Sequence, residues 1–136
     1  MTSRLNPYPN FRGQAREALD LYASVFGGTP VVSTFGEFGD TPPGVEADGV
    51  MHGQLDTPMG FTLRCSDLPS SMDLTVGDNI TVSLSGDDAE ALRGYWERLS
   101  DGGTILFTLE RQMWGDEFGQ CTDRFGVPWL VNITSV

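Results

Sequence analysis

The sequence contains no lysine, since all eight of its basic residues are arginines. This excludes chemistry through a lysine Schiff base and any phosphate loop that requires a lysine. The two cysteines, Cys65 and Cys121, are far apart and do not form a disulfide framework. No apolar run approaches the length of about twenty residues that crosses a bilayer, and no apolar signal core follows the first residues. We therefore expect a cytoplasmic protein without a membrane partner.

Basic residues are also scarce relative to acidic ones. Nineteen acidic residues give the chain a formal charge of −11. A charge of this sign repels nucleic-acid phosphates and anionic lipids, so we expect no nucleic-acid partner. It is compatible with a cationic ligand, and it is equally typical of a surface that keeps a protein in solution.

What the sequence does contain is a repeat. An extended segment at residues 5–11 precedes an amphipathic segment that ends at Gly27-Gly28. The pattern returns about 75 residues later, where residues 79–85 precede an amphipathic segment that ends at Gly102-Gly103. Asp87, three residues before Glu90, is the predicted N-cap of the second helix.

Each amphipathic segment is followed by three predicted strands. Their residues are 31–35, 50–56 and 61–67 in the first copy, and 104–109, 117–122 and 128–133 in the second. The pattern predicts an α+β fold of two βαβββ modules, about residues 4–67 and 79–136, joined by a linker at about 68–78 within a single domain, 1–136. Modules of this kind pair their sheets around a concavity, and concavities bind small molecules.

Several spaced motifs are characteristic of one family. They are Asn6-Pro-Tyr-Pro-Asn-Phe-Arg-Gly, Ala15-Arg-Glu-Ala-Leu-Asp-Leu-Tyr, Met51-His52, Gln112-Met-Trp-Gly, Phe118-Gly and Asp123-Arg-Phe-Gly-Val-Pro-Trp. The chain resembles the PhnB-like branch of the vicinal oxygen chelate (glyoxalase/bleomycin-resistance) superfamily. The resemblance implies two βαβββ modules with a concave mixed sheet, a small-molecule ligand in the cavity and a homodimer.

The resemblance also implies where a metal would bind. Enzymes of the superfamily hold a divalent metal with four His or Glu side chains, and these positions fall on Asn6 (or Pro7), Arg64 (or Leu63), Asn79 and Leu130. None is a usual metal ligand, so we expect neither a metal nor another cofactor. Some members of the branch carry the name of a demethylubiquinone methyltransferase, but the sequence lacks a glycine-rich turn for adenosylmethionine.

Strand alternation predicts which side chains line the cavity. The ligand-binding candidates on this face are Tyr8, Asn10, His52, Gln54, Arg64, Asn79 and Thr81, with Thr62 and Ser83 beside them. Trp114, next to a glycine, is a further candidate at the mouth of the cavity. Such a lining suits a ligand rich in oxygen and nitrogen; alternatively, the groups satisfy one another or hold water.

Individual residues have alternative roles. His52, the lone histidine, is a candidate general base with Asp56 or Gln54, or else a structural residue. Arg64 is a candidate anion-binding group in place of the metal, or else forms an ion pair with Asp56 or Asp123. The two cysteines are predicted to be buried and inert, and Trp129 to belong to the core.

Three functional hypotheses follow. The first is a metal-free small-molecule-binding protein or an unassigned enzyme of the superfamily. The second is a metal-dependent lyase, isomerase or dioxygenase with a displaced site that includes His52. The third is a resistance-type protein that sequesters a drug, for which the acidic charge favours a cationic compound.

Overall fold

The computed structural model describes residues 3–38 and 46–135. The chain divides into two compact units between Thr75 and Val76, here called unit 1 and unit 2. Within the described residues, no helix is long and apolar enough to cross a membrane.

Unit 1 is a four-stranded sheet with one α-helix. Its elements in chain order are β1 (Asn10–Phe11), α1 (Ala15–Phe26), β2 (Val31–Thr34), a short 3-10 helix (Phe35–Phe38), β3 (Val50–Asp56) and β4 (Thr62–Asp67). The strand order is β1-β4-β3-β2, in which only the β1–β4 pair is parallel.

Unit 2 repeats this arrangement. Its elements are β5 (Val82–Gly86), α2 (Ala89–Ser100), β6 (Thr104–Arg111), β7 (Glu117–Thr122) and β8 (Pro128–Ile133). The strand order is β5-β8-β7-β6, and again only the first pair, β5–β8, is parallel. The prediction of an α+β fold built from two βαβββ modules is confirmed.

The core of each unit lies between its helix and one face of its sheet. In unit 1, α1 buries an apolar stripe made of Ala15, Ala18, Leu19, Leu21, Tyr22, Val25 and Phe26. The helix approaches β3 closely at Gly53, where an added Cβ would lie 2.4 Å from Leu19 Cδ1. In unit 2, Trp129 is 1% exposed and belongs to the core, as predicted.

The glycine pairs that end both helices have a common structural cause. The first glycine of each pair, Gly27 or Gly102, has a positive φ of 85° or 76° that ends the helix. The second glycine packs against a strand carbonyl. A Cβ on Gly28 would lie 2.4 Å from the Asp56 oxygen, and one on Gly103 would lie 2.2 Å from the Thr122 oxygen. The sequence repeat thus preserves both a helix stop and a close backbone contact.

The two helices are capped differently. In α2 the N-cap is Asp88, whose carboxylate accepts from the Ala91 N–H at 3.2 Å, so the prediction of Asp87 was wrong by one residue. In α1 the N-cap Gln14 makes no side-chain cap. Instead Asp67, which is buried at the end of β4, accepts from Ala15 N at 2.9 Å and from Val50 N at 3.0 Å. One carboxylate therefore joins α1, β3 and β4.

Both first strands are shorter than predicted. Residues 5–9 are outside β1, although Pro7 O still accepts from Arg64 N at 3.2 Å. Pro7 and Pro9 have no N–H, so the β1–β4 ladder does not extend through them. The strand predicted at 79–85 begins only at Val82, and Ile80, in the segment before it, is 76% exposed.

Candidate functional site

The sheet of unit 1 has a polar face on the side away from α1. In β4, Leu63 and Cys65 are buried, and Cys65 Sγ contacts Ala15 O at 3.9 Å, so the alternate residues point to the opposite face. Cross-strand partners share a face. This set, called the polar face, comprises Asn10, Ser33, His52, Gln54, Asp56, Thr62, Arg64 and Ser66.

Tyr8 reaches this face from the segment before β1. Its hydroxyl lies 3.2 Å from His52 Nδ1, and the two rings are 6.0 Å apart at a tilt of 37°. Tyr8 is half-exposed and His52 is partly buried, so the pair lies at the surface of the sheet. The sequence placed both residues on this face but did not identify them as partners, because they are 44 positions apart.

Asp56 does not pair with His52, although the sequence suggested it as a carboxylate partner. Its carboxylate accepts from Thr62 Oγ1 at 2.9 Å and from Gln54 Nε2 at 3.1 and 3.2 Å. These hydrogen bonds, that from Thr62 first and those from Gln54 next, hold the pKa of Asp56 below its ordinary value. Asp56 therefore does not orient His52 for a role as a general base. The imidazole of His52 contacts the phenol of Tyr8 instead.

Arg64 lies at the middle of the polar face. It is the cross-strand partner of Gln54, and its backbone N–H contacts Pro7. Its Nε is buried without a hydrogen-bond partner. The ion pair with Asp56 that the sequence suggested is not formed. Asp56 is bound to Thr62 and Gln54, and the buried Asp123 accepts from Trp129 Nε1 at 2.8 Å and from two backbone N–H groups.

Asn10 completes the face at the β1 edge. Its side-chain oxygen accepts from Ser66 Oγ at 3.0 Å, across the parallel pair of β1 and β4. Part of the polar lining is thus satisfied internally, as the alternative interpretation required. Arg64 is the clear exception.

The remaining predicted site residues belong to unit 2. Asn79 and Thr81 precede β5, and Asn79 is exposed, whereas Ser83 lies in β5 opposite Leu130 of β8. Trp114 is 61% exposed in the turn between β6 and β7. Its ring is 6.5 Å from that of Phe118, which is in turn 6.4 Å from Phe107.

These three rings, called the aromatic cluster, include one residue that the sequence did not single out. Phe107 is 59% exposed in β6. Phe107 pairs with Gln120 of β7, whose side chain lies on the face opposite the buried Cys121. Phe118 is two residues from Gln120 in β7 and shares that face, so Phe107 lies beside it. Sequence alternation in β6 did not reveal this, because the pairing with β7 is irregular near Phe107.

Both cysteines are buried in their sheets, as predicted. Burial, together with the nearby Asp67, raises the pKa of Cys65 to about 12. Burial and Asp123 likewise raise the pKa of Cys121 to about 11. Neither thiol is a nucleophile near neutral pH, since the thiolate is the reactive form.

The donor atoms do not fit the metal centre that the superfamily implies. Among residues 3–38 and 46–135, no three His, Cys, Asp or Glu residues are grouped so as to hold a metal ion. Arg64 is cationic and Leu130 has no donor atom. The strand register agrees that Arg64 and Leu130 occupy equivalent positions, because Arg64 pairs with Gln54 of β3 as Leu130 pairs with Gln120 of β7. The four positions do not supply a set of His or Glu ligands.

Two cavities lie elsewhere. One of about 390 Å³ in unit 1 is lined by Arg12, Arg16, Asp48 and other residues near the start of α1, and one of about 200 Å³ in unit 2 is lined by residues that include Arg93 and Glu117. None of the predicted site residues lines either cavity. Arg12 and Arg16 already donate to backbone carbonyls, and Arg93 is paired with Glu117. We therefore place the candidate site on the polar face.

The repeated βαβββ architecture defines the class of protein. A solved glyoxylase/bleomycin resistance protein/dioxygenase domain from Frankia sp. EAN1pec aligns with a TM-score of 0.65 over 98% of each chain, at 12% identity. The PhnB protein from Bacillus cereus aligns with a TM-score of 0.79, over 97% of this chain and 100% of that one, at 22% identity. The fold is that of the glyoxalase/bleomycin resistance/dioxygenase superfamily.

Sequence comparison identifies the family. Residues 4–132 match the family model described as 3-demethylubiquinone-9 3-methyltransferase, and the chain belongs to this PhnB-like family. Protein YjdN of Escherichia coli K12 is 26% identical over 140 residues, which cover 95% of this chain and 94% of that protein. The solved protein PA1353 from Pseudomonas aeruginosa is 29% identical, with a TM-score of 0.84 over 99% of this chain and 100% of its own.

Proposed function

We propose that the chain binds a small polar molecule on the polar face of unit 1 without a metal ion, either to sequester it or to transform it. The observation that carries this proposal is the convergence of hydrogen-bonding side chains from three strands, with Tyr8, on one sheet face. Binding sites typically combine such convergent polar groups with rigid secondary structure. The family's fold supports the proposal, since the class includes both enzymes and resistance proteins by name.

A metal-dependent lyase, isomerase or dioxygenase with a displaced site at His52 has less support. Within the part of the chain that the structure describes, no second and third metal-ligating side chain accompany His52. The methyltransferase activity in the family's name also lacks support, because each sheet is mixed and has no doubly wound parallel arrangement for a nucleotide-like cofactor.

A ligand screen tests the main proposal. Thermal shifts are measured with a library of polar metabolites, with and without a chelator, on the wild type and on Thr62→Val. Thr62 lies on the polar face, and Thr108→Val, an exposed threonine of β6, is the matched control. We expect hits that persist in the chelator and that Thr62→Val weakens but Thr108→Val does not. Hits lost on chelation, with stoichiometric metal found by elemental analysis, would instead establish the metal-dependent alternative.

The aromatic cluster favours a second candidate, sequestration of a planar cationic drug. Exposed rings of Trp and Phe bind cations and planar molecules, and the charge of −11 attracts a cation. Ethidium is a suitable probe for calorimetry. Trp114→Ala and Phe107→Ala should weaken its binding, whereas Met113→Ala, at a neighbouring side chain that is 99% exposed, should not. Equal affinities for all four proteins would exclude this candidate.

We also propose a cytoplasmic homodimer. Ile105 and Leu106 are 49% and 57% exposed along β6, an edge strand of its sheet, and a twofold interface is the commonest way to cover such residues. Light scattering at micromolar concentration should give twice the mass of 14.8 kDa, and Leu106→Asp should lower it. A monomeric wild type would refute the dimer.

A further inference from the structure

Arg64 has no direct hydrogen-bond or ion-pair partner for its side chain among the described residues, 3–38 and 46–135. Its Nε is buried, while the terminal nitrogens are neither buried nor bonded within those residues. A buried donor without an acceptor is unfavourable, and a native structure that retains one calls for an explanation.

The residues beside Arg64 do not supply that explanation. Gln54, directly across the sheet, is neutral and donates its amide to Asp56. Tyr8 is neutral and contacts His52. Asp56 is close enough for Arg64 to contribute to its lowered pKa, but as the smallest of the causes, after Thr62 and Gln54. The guanidinium is thus surrounded by groups that leave its terminal nitrogens available.

We propose that Arg64 binds the carboxylate of a small organic acid, so that the ligand of the polar face is a monocarboxylate. This inference rests on the proposed function and adds the chemical class of the ligand. The terminal nitrogens of an arginine match the two oxygens of a carboxylate in a bidentate pair. The bound charge offsets the desolvation of the guanidinium, and this role uses a residue that departs from the metal-ligand pattern of the superfamily.

A monoanion is favoured over a phosphate dianion by the surrounding charge. The ionised Asp56 lies on the same face and opposes the attraction of Arg64 for an anion, while Arg4, which also lowers the pKa of Asp56, offsets part of that repulsion. Both the attraction and the repulsion double for a dianion, so the preference for a monoanion rests on the net acidic charge of −11. At physiological salt, charges beyond about 8 Å are largely screened, so local contact with Arg64 dominates for a small monoanion.

The test compares matched charged and neutral probes. Acetate, lactate and benzoate, their carboxamides and inorganic phosphate are titrated into isotope-labelled protein and followed by NMR at physiological salt. We expect the carboxylates to bind more tightly than the carboxamides and phosphate. Arg64→Gln should weaken carboxylate binding about 10-fold to 100-fold, the range expected for hydrogen bonds to a charged group. Carboxamide binding should not change.

Two variants control for charge and geometry. Arg124→Gln removes the same charge from an exposed arginine of unit 2 and should leave carboxylate binding unchanged. Arg64→Lys keeps the charge without the planar fork and should be intermediate. Far-ultraviolet circular dichroism verifies folding, which we expect to survive because the Arg64 side chain has no described partner to lose.

The outcomes are distinct. Carboxylate binding that is equal in the wild type and Arg64→Gln overturns the role of Arg64, while the polar face remains a binding site. Phosphate binding tighter than that of every carboxylate overturns the ligand class. An absence of binding by all three carboxylates overturns the inference as well, and the Thr62→Val screen then decides separately whether the face binds any ligand.

Discussion

Substitution of Gly28 by alanine should destabilise unit 1 through two separable effects. Gly28 has a φ of +91°, which is unfavourable for an L side chain, and its added Cβ would lie 2.4 Å from the backbone oxygen of Asp56. The obstructing atom belongs to the backbone of β3, so it cannot rotate away as a side chain can. The clash can be relieved only if β3 or the backbone at the end of α1 moves.

A second glycine isolates the backbone effect. Gly60 has nearly the same φ, +90°, but nothing lies within 4 Å of its added Cβ. We expect Gly60→Ala to cost about 1 kcal/mol, the lower end for a left-handed L residue. Gly28→Ala carries that cost plus about 1–3 kcal/mol for overpacking, for a total of about 2–4 kcal/mol. Gly103→Ala, whose Cβ would lie 2.2 Å from Thr122 O, should repeat the steric effect in unit 2.

Urea unfolding followed by circular dichroism at the helical band measures these differences. Tryptophan fluorescence is unsuitable for unit 1, because all three tryptophans are in unit 2. Gly28→Ala should lower the free energy of unfolding more than Gly60→Ala does. Equal losses for the two variants would mean that the close contact with Asp56 carries no energetic weight, and the structural explanation of the glycine repeat would be wrong.

Three further predictions concern buried and titrating groups. Asp67→Ala should lower the free energy of unfolding by about 2–5 kcal/mol, since it leaves two backbone donors without their acceptor. Asp67→Asn keeps one acceptor oxygen and should cost less. No change in urea unfolding for Asp67→Ala would contradict the capping role. Cys65 and Cys121 should resist a thiol reagent at pH 8 in the folded protein, because burial raises their pKa values to about 12 and about 11. Both thiols should react rapidly once urea unfolds the chain. Equal reaction rates in the folded and unfolded protein would show that the thiols are accessible in the fold. Hydrogen bonds from Ser135 N and Asn132 lower the pKa of Asp116, so its ionisation stabilises the fold above pH 3.8. This contribution to stability disappears as the pH falls through the lowered folded-state pKa. A carboxyl NMR titration of Asp116 with a midpoint at or above 3.8 would refute this prediction.

The order of the secondary structure elements could be predicted from the sequence, because local patterns encode it. The apolar spacing of α1 and the alternation within β4 and β8 are properties of adjacent residues, and both predicted their elements correctly. The glycine pairs gave the helix ends for the same reason. The predicted start of β1 was wrong, because Pro7 and Pro9 adopt an extended conformation but have no N–H to donate to a strand ladder.

The candidate site was predictable only as a face. Strand alternation placed His52, Gln54 and Arg64 on the same side of the sheet, and the register agrees. The contact of Tyr8 with His52 depends on a register between distant segments, which no local pattern contains. The burial of Arg64 Nε depends on the positions of its neighbours, and a single sequence does not give those positions.

The different capping of the two helices affects the order in which each unit can form during synthesis. The cap of α2, Asp88, emerges from the ribosome immediately before the helix that it caps. The cap of α1 is Asp67, which is synthesised 52 residues after Ala15, at the end of the last strand of unit 1. The first helix therefore gains its N-terminal hydrogen bond only when the whole sheet of unit 1 has assembled, and closing such a long loop slows folding. The two copies of the same architecture therefore differ in when their helices are capped. The N-cap of α2 is available as soon as the helix is synthesised, whereas α1 is capped only after β4 has joined the sheet.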